Sequence, residues 1–197
     1  MARPVQRFSL RIIGGEWRGR RIRFPRGSDV RPTPDRVRET VFNWLQSQVA
    51  GRRCLDLCAG SGALGLEALS RGAAEVVFVD ADPAVAASLR ETLGVLGAGD
   101  RGRVQRRDAL AFLRAGATAG TPFDIVFLDP PYALRALPAL AALLEREGWL
   151  RDGSLIYLED AAAEGPPELP AGWTLLRSQR AGDVGYHLAI RHAKTGT

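Results

Sequence analysis

Residues 55–65 read Leu-Asp-Leu-Cys-Ala-Gly-Ser-Gly-Ala-Leu-Gly. The apolar run Cys54–Leu57 predicts a buried strand, and the residues from 63 onward predict a helix near 63–71. Between them Gly60, Gly62 and Gly65 match G-x-G-x-x-G, and Asp80 follows 20 residues after Gly60 at the end of the next apolar run. Glycines let the backbone approach a ligand, and an acid at that distance accepts hydrogen bonds from ribose hydroxyls. Taken by itself this pattern suggests a dinucleotide. Asp56 argues otherwise. It stands four residues before Gly60, where a carboxylate aimed at the loop repels a pyrophosphate and suits a ligand carrying a sulfonium and an ammonium. S-adenosylmethionine has both charges, and a ribose for Asp80.

Outward from this loop, strands and helices alternate. Apolar runs at Val76–Val79, Val104–Gln105 (a weak one), Ile125–Leu128 and Leu155–Leu158 are separated by helical stretches near 83–97, 108–115 and 134–147. Such alternation predicts a parallel sheet with right-handed crossovers. The chain finishes differently: Trp173–Gln179 and Tyr186–Arg191 flank the turn Ala181-Gly182-Asp183, an antiparallel hairpin. Ahead of the alternation, residues 8–24 predict another hairpin, and 25–34 a Pro- and Gly-rich loop. Thr33 before Pro34 predicts an N-cap for a helix over 34–49, with Val37, Val41, Phe42, Leu45 and Val49 on its apolar stripe and Arg36 and Arg38 on or near the other face.

Phe123-Asp-Ile-Val-Phe-Leu runs directly into Asp129-Pro-Pro-Tyr132. The four residues end a buried strand, which is where open α/β sheets bind ligands. The two prolines stiffen the turn and lack N–H donors. Asp129 and the carbonyl of Pro130 can accept hydrogen bonds from an exocyclic amine, and Tyr132 can stack on a base. Two acceptors on one amine draw its lone pair out of conjugation and toward an electrophile.

The chain has 197 residues, 46% hydrophobic and 25% charged, which sets a packed domain against global disorder. Its net charge of +5 is unevenly placed: residues 1–53 carry 13 Arg and 4 acids (+9), leaving 14 basic and 18 acidic residues beyond (−4). All basic residues but Lys194 are Arg, a bias that fits GC-rich codon usage; the asymmetry points instead to a polyanionic partner. No run is apolar enough to span a membrane, and the Arg-rich first 20 residues do not read as a secretory signal. Cys54 and Cys58, with His187 and His192 remote in sequence, predict neither a disulfide framework nor a metal site. A cytoplasmic protein is expected.

These motifs resemble class I S-adenosylmethionine-dependent amino-methyltransferases. More narrowly, the chain resembles the bacterial 16S ribosomal RNA guanine-N2 methyltransferase family (RsmD) throughout residues 10–191. The narrow marks are Arg11-Ile-Ile-Gly-Gly-Glu-Trp-Arg-Gly-Arg20 and Arg31-Pro-Thr-Pro-Asp-Arg-Val-Arg-Glu-Thr-Val-Phe-Asn-Trp-Leu45; the broader ones are the glycine loop running on to Ala73, and Asp129–Tyr132. Cys58 departs from the family's frequent Phe, and Tyr132 stands where Phe is also found. The resemblance implies a Rossmann-like class I methyltransferase, α/β, with a mostly parallel seven-stranded sheet ending in an antiparallel hairpin and an N-terminal β-hairpin plus helix extension. It implies a basic RNA-binding extension over 1–50 and the methyltransferase domain over 51–197.

By the same resemblance, Asp56 and the backbone of Ala59, Gly60, Ser61 and Gly62 would hold the methionine part of S-adenosyl-L-methionine, Asp80 with Ala81 the ribose, and Asp108 with Ala109 the adenine. Asp129, Pro130, Pro131 and Tyr132 would hold the target guanine, position 966 in the usual 16S rRNA numbering. Arg11, Trp17, Arg18, Arg20, Arg21, Arg31 and Arg36 would contact RNA, with Arg23 and Arg38 adding positive charge, and the loop 31–33 would border the cofactor pocket. The partner would be 16S rRNA in the small subunit or its assembly intermediate, the protein a monomer without metal. Both cysteines read as lying in the strand before the loop, so a cysteine nucleophile is rejected. Two other readings remain open on the motifs alone: a DNA adenine or protein glutamine N-methyltransferase, which use similar loops, and a non-catalytic RNA-binding assembly factor. The chain is short for a separate DNA target-recognition domain, and its intact acid set argues against catalytic silence.

Overall fold

The computed structural model describes residues 7–25, 33–117, 122–131 and 135–193. Two strands, β1 (Arg7–Arg11) and β2 (Arg21–Pro25), pair antiparallel as the expected hairpin. Helix α1 (Asp35–Leu45) follows, ending in a 3₁₀ turn over Gln46–Gln48 rather than continuing to 49. Then come β3 (Arg53–Leu57), α2 (Ala63–Ser70), β4 (Glu75–Asp80), α3 (Pro83–Leu96), β5 (Gly102–Arg106), α4 (Ala109–Arg114), β6 (Phe123–Leu128), α5 (Leu137–Arg146), β7 (Leu150–Ala161), β8 (Trp173–Ala181) and β9 (Val184–Arg191). No helix among the described residues is long and apolar enough to cross a membrane.

The main sheet has seven strands in the order β5-β4-β3-β6-β7-β9-β8. The first five are parallel; β9 pairs antiparallel with both β7 and β8. The strand order reverses between β3 and β6, so the carboxyl ends of these two strands flank a crevice open to a ligand. Residues 54–57 and 125–128 are buried throughout, as strands covered on both faces must be.

Each face of the sheet carries its own apolar cluster. One joins α4 and α5 to Leu55, Leu57, Val126 and Ile156. The other joins α2 and α3 to Phe78, Phe127 and Tyr157, and it also takes in Leu10, Ile12, Ile22 and Phe24 of the hairpin and Val37, Val41, Phe42 and Leu45 of α1. The hairpin and α1 are thus packed into the core on this face.

That packing corrects two sequence-based expectations. Trp17, expected to contact RNA, is 2% exposed: its indole lies within the core, with the Arg101 guanidinium over it at 5.3 Å, and offers no face for a base. Arg38, expected on the polar face of α1, is fully buried. It donates to the Arg11 carbonyl at 2.9 Å and to Asp35 at 2.5 Å, and lies 3.7 Å from the equally buried Glu67 of α2. A periodic apolar stripe does not reveal a charged residue that brings its own partners into the interior.

Candidate active site

β3 ends at Leu57, and the chain turns through Cys58 at φ 68° and Gly62 at φ 73° before α2 begins. Cys58 is therefore a loop residue in a left-handed conformation, not the strand residue its apolar surroundings suggest. Gly65 stands in the first turn of α2, where a Cβ would come 2.3 Å from Phe78 and 2.8 Å from Asp56. Only glycine allows the helix to lie this close to the sheet. The same approach lets the Gly65 amide donate to Asp56 Oδ2 at 2.9 Å.

The neighbouring acids also brace the loop. Asp80, ending β4, accepts from the Gly60 amide at 2.9 Å and from the Asp82 amide at 2.9 Å. Ala59 donates to the Val79 carbonyl at 2.9 Å, which ties the loop to the same strand end. Asp108, two residues beyond β5, caps α4 by accepting from Ala111 at 2.9 Å. Ser61 and Ala59 are buried, Ala81 is exposed, and Ala109 is half-buried at the start of α4.

Asp129 follows β6 across the crevice. Its carboxyl lies 3.5 Å from the Thr33 hydroxyl, which donates at the limit of hydrogen-bonding distance. Thr33 makes no cap for α1; the N-cap position is Pro34, and the threonine faces the site instead. Asp129 also shares a hydrogen bond with Glu159 of β7. Burial, the charges of Glu159 and Asp56, and that shared hydrogen bond hold Asp129 well above the usual carboxylate range, with Thr33 acting the other way.

Cys58 sits among all of these acids. Burial and the charges of Asp80, Asp129, Asp56 and Asp108 push its thiol up to about 12. Cys54, buried beside Asp56, is likewise pushed up to about 12. Neither sulfur is a thiolate near neutrality, which fits the rejection of a cysteine nucleophile. Asp56 itself is pushed up to about 7, chiefly by burial, against the Gly65 amide and with Asp80 adding to the rise. Four carboxylates from four consecutive parallel-strand ends thus converge on one loop. Such a concentration of acidic groups suits a cationic ligand, which favours their ionised forms, and is unfavourable to a pyrophosphate.

Pro130 is buried and Pro131 exposed, and both line a cleft of about 320 Å³ together with Arg135, Glu159 and Glu164. Tyr132 and Arg31 lie outside the described residues. Arg11, Arg18, Arg20, Arg21 and Arg36 are exposed. In the hairpin register Arg11 opposes Arg21 and Ser9 opposes Arg23, while Leu10 and Ile22 turn inward, so one solvent-facing side of the ribbon is basic. Sequence reasoning missed Glu159. Its signal was present: like Asp80 and Asp129, it is an acid placed directly after an apolar run, Leu155-Ile-Tyr-Leu158.

A family profile described as "Conserved hypothetical protein 95" matches residues 10–190. The chain is 49% identical over 185 residues to the ribosomal RNA small subunit methyltransferase D of Escherichia coli K12, covering 94% of this chain and 91% of that protein. It is 40% identical over 186 residues to the protein of the same name from Haemophilus influenzae, covering 94% and 95%. Among solved structures, a putative methyltransferase from Escherichia coli superposes with a TM-score of 0.85 at 46% identity, over 95% of this chain and all of that one. The seven-stranded architecture is the Rossmann-like class I methyltransferase fold, and the chain belongs to the Conserved hypothetical protein 95 family, alongside the ribosomal RNA small subunit methyltransferases D.

Proposed function

We propose that this protein methylates ribosomal RNA with S-adenosyl-L-methionine, and that its target is the exocyclic N2 of a guanine in 16S rRNA, position 966 in the usual numbering. The observation that carries the reading is the ring of Asp56, Asp80, Asp108 and Asp129 around the loop at Cys58, in a chain 49% identical to a small-subunit methyltransferase. The cofactor supplies an electrophilic methyl group on a sulfonium. The residues fit it: Asp56 would face the ammonium, the Ala59–Gly62 backbone the methionine carboxylate, Asp80 with Ala81 the ribose, and Asp108 with Ala109 the adenine.

Asp129 and the Pro130 carbonyl would accept the guanine amine, with Tyr132 stacking on the base. Held in this way, N2 would present its lone pair to the sulfonium methyl group, S-adenosylhomocysteine would be the leaving group, and the cationic nitrogen would then lose its proton to solvent; positioning and a prearranged field would do the work, with no covalent enzyme intermediate. A guanine within a paired helix hides N2 in the minor groove, so the target base must be unpaired or flipped outward. We assign the hairpin and α1 (residues 1–50) the task of gripping RNA beside the catalytic domain (51–197), through Arg11, Arg18, Arg20, Arg21, Arg31 and Arg36. The protein would act as a monomer in the cytoplasm, without a metal. Small ribosomal particles from a strain lacking the endogenous enzyme, incubated with the protein and tritiated S-adenosylmethionine, test the reading: label should enter 16S rRNA, and none there would refute it.

A further inference from the structure

Glu159 and Asp129 occupy corresponding places on adjacent parallel strands, each one residue beyond the paired Leu128 and Leu158. Their carboxyls share a hydrogen bond. Glu159 is 3% exposed, yet it lines the cleft beside Pro130 and Pro131. Its Oε1 accepts the hydroxyl of the fully buried Tyr157 at 2.6 Å, which fixes the side chain's direction. A second carboxyl is thus held rigidly where the target base is proposed to enter.

We propose that Glu159 reads the guanine itself: its carboxylate accepts N1–H while Asp129 accepts from the N2 amine. The inference rests on the guanine-N2 reading above. Guanine presents two neighbouring donors on its Watson–Crick edge, N1–H and N2–H, and two neighbouring carboxylates are their complement. Adenine presents its amine beside an N1 lone pair, which a carboxylate repels. A site built to hydrogen-bond a donor rejects an analogue that lacks it, because the site's own buried polar group is then left unpaired. Before the base arrives, Glu159 favours the protonated form of Asp129; the two donors of guanine would instead favour both carboxylates, and the proton would pass to solvent. The Tyr157 hydroxyl keeps Glu159 oriented through this exchange.

The test is a cycle between base and side chain. Small subunits are reconstituted with 16S rRNA carrying either guanine or 2-aminopurine at the target position; the latter keeps the N2 amine and lacks N1–H. Both substrates are methylated by the wild-type protein and by Glu159→Gln, and kcat/KM is compared. The wild type should fall at least about tenfold on 2-aminopurine, as removal of a specific hydrogen bond to a base does. Glu159→Gln should fall by a similar factor on guanine and little further on 2-aminopurine. Equal penalties for the base change in both proteins would overturn the proposal, and so would a wild type indifferent to 2-aminopurine. Failure of the wild type to methylate guanine at N2 would be a separate result: it would overturn the guanine-N2 reading, and this inference with it.

Discussion

Arg38 of α1 and Glu67 of α2 form a wholly enclosed ion pair, 3.7 Å apart with both side chains fully buried. Glu67 also accepts from the amides of Ile13 and Gly14 at 2.8 Å each, and from Arg71 at 2.8 Å. Three residues on, Ser70 accepts from the Trp17 amide at 2.9 Å and donates to the Gly14 carbonyl at 2.6 Å. The helix that starts at the glycine loop is therefore also what holds the basic hairpin, so the proposed RNA arm and the proposed cofactor loop are two ends of one rigid element.

Glu67→Ala should destabilise the fold severely. It leaves Arg38 buried with less compensating charge and two backbone amides without acceptors, a loss of about 3–5 kcal/mol. Denaturant unfolding checks this. Glu67→Gln, which removes the charge but keeps one of the two oxygens that accept from the Ile13 and Gly14 amides, should lose less than Glu67→Ala; equal losses would show that the charge on Glu67, not its hydrogen bonds to the amides, accounts for the effect.

Asp56 sets a pH dependence. Its carboxyl rises from near 3.8 to about 7 on folding, mainly through burial. Between these values the unfolded chain is ionised and the folded one is not. Stability is therefore greatest below about 3.8, so far as this group is concerned, and declines as pH rises toward 7, levelling off beyond it. Binding of a cation runs the other way, because it favours the ionised carboxylate: S-adenosylmethionine affinity should strengthen as pH rises through 7, with proton uptake by buffer seen in calorimetry. Asp56→Asn should remove that dependence, stabilise the ligand-free protein by up to about 4 kcal/mol at pH 8 and weaken cofactor binding. A variant with unchanged pH dependence would detach Asp56 from the cofactor.

Asp129→Ala should lower methyl transfer by about 10²–10³-fold while the cofactor still binds, as removal of one prearranged polar group does. Single-turnover rates together with equilibrium cofactor binding separate the two effects. Retained turnover would take the amine-accepting role away from Asp129.

Neutralising Arg18, Arg20 and Arg21 together should weaken particle binding and make its salt dependence shallower, by roughly 0.7–0.9 in log–log slope for each phosphate no longer neutralised. All three are exposed, so folding should survive. An unchanged slope would leave the hairpin as an ordinary solvated surface.

The catalytic half of the molecule was legible because its marks are local. Alternating apolar runs gave the parallel strands, and acids within or directly after those runs marked Asp56, Asp80 and Asp129 as candidates. What was hidden depends on packing between distant segments. Arg38 lies on a helix whose stripe is complete without it, and nothing near it in sequence announces Glu67. Trp17 is surrounded by arginines in sequence and by the core in space. Thr33 has the form of an N-cap, yet points at Asp129, 96 residues away. Cys58 continues an apolar run, but its backbone has already turned into the loop.

The most direct measurement identifies the product. RNA from labelled small subunits, digested to nucleosides and resolved by mass spectrometry, should contain N2-methylguanosine as the one methylated product that requires this protein, and that product should vanish with Asp129→Ala. A different methylated nucleoside, or label that persists without Asp129, would contradict the account.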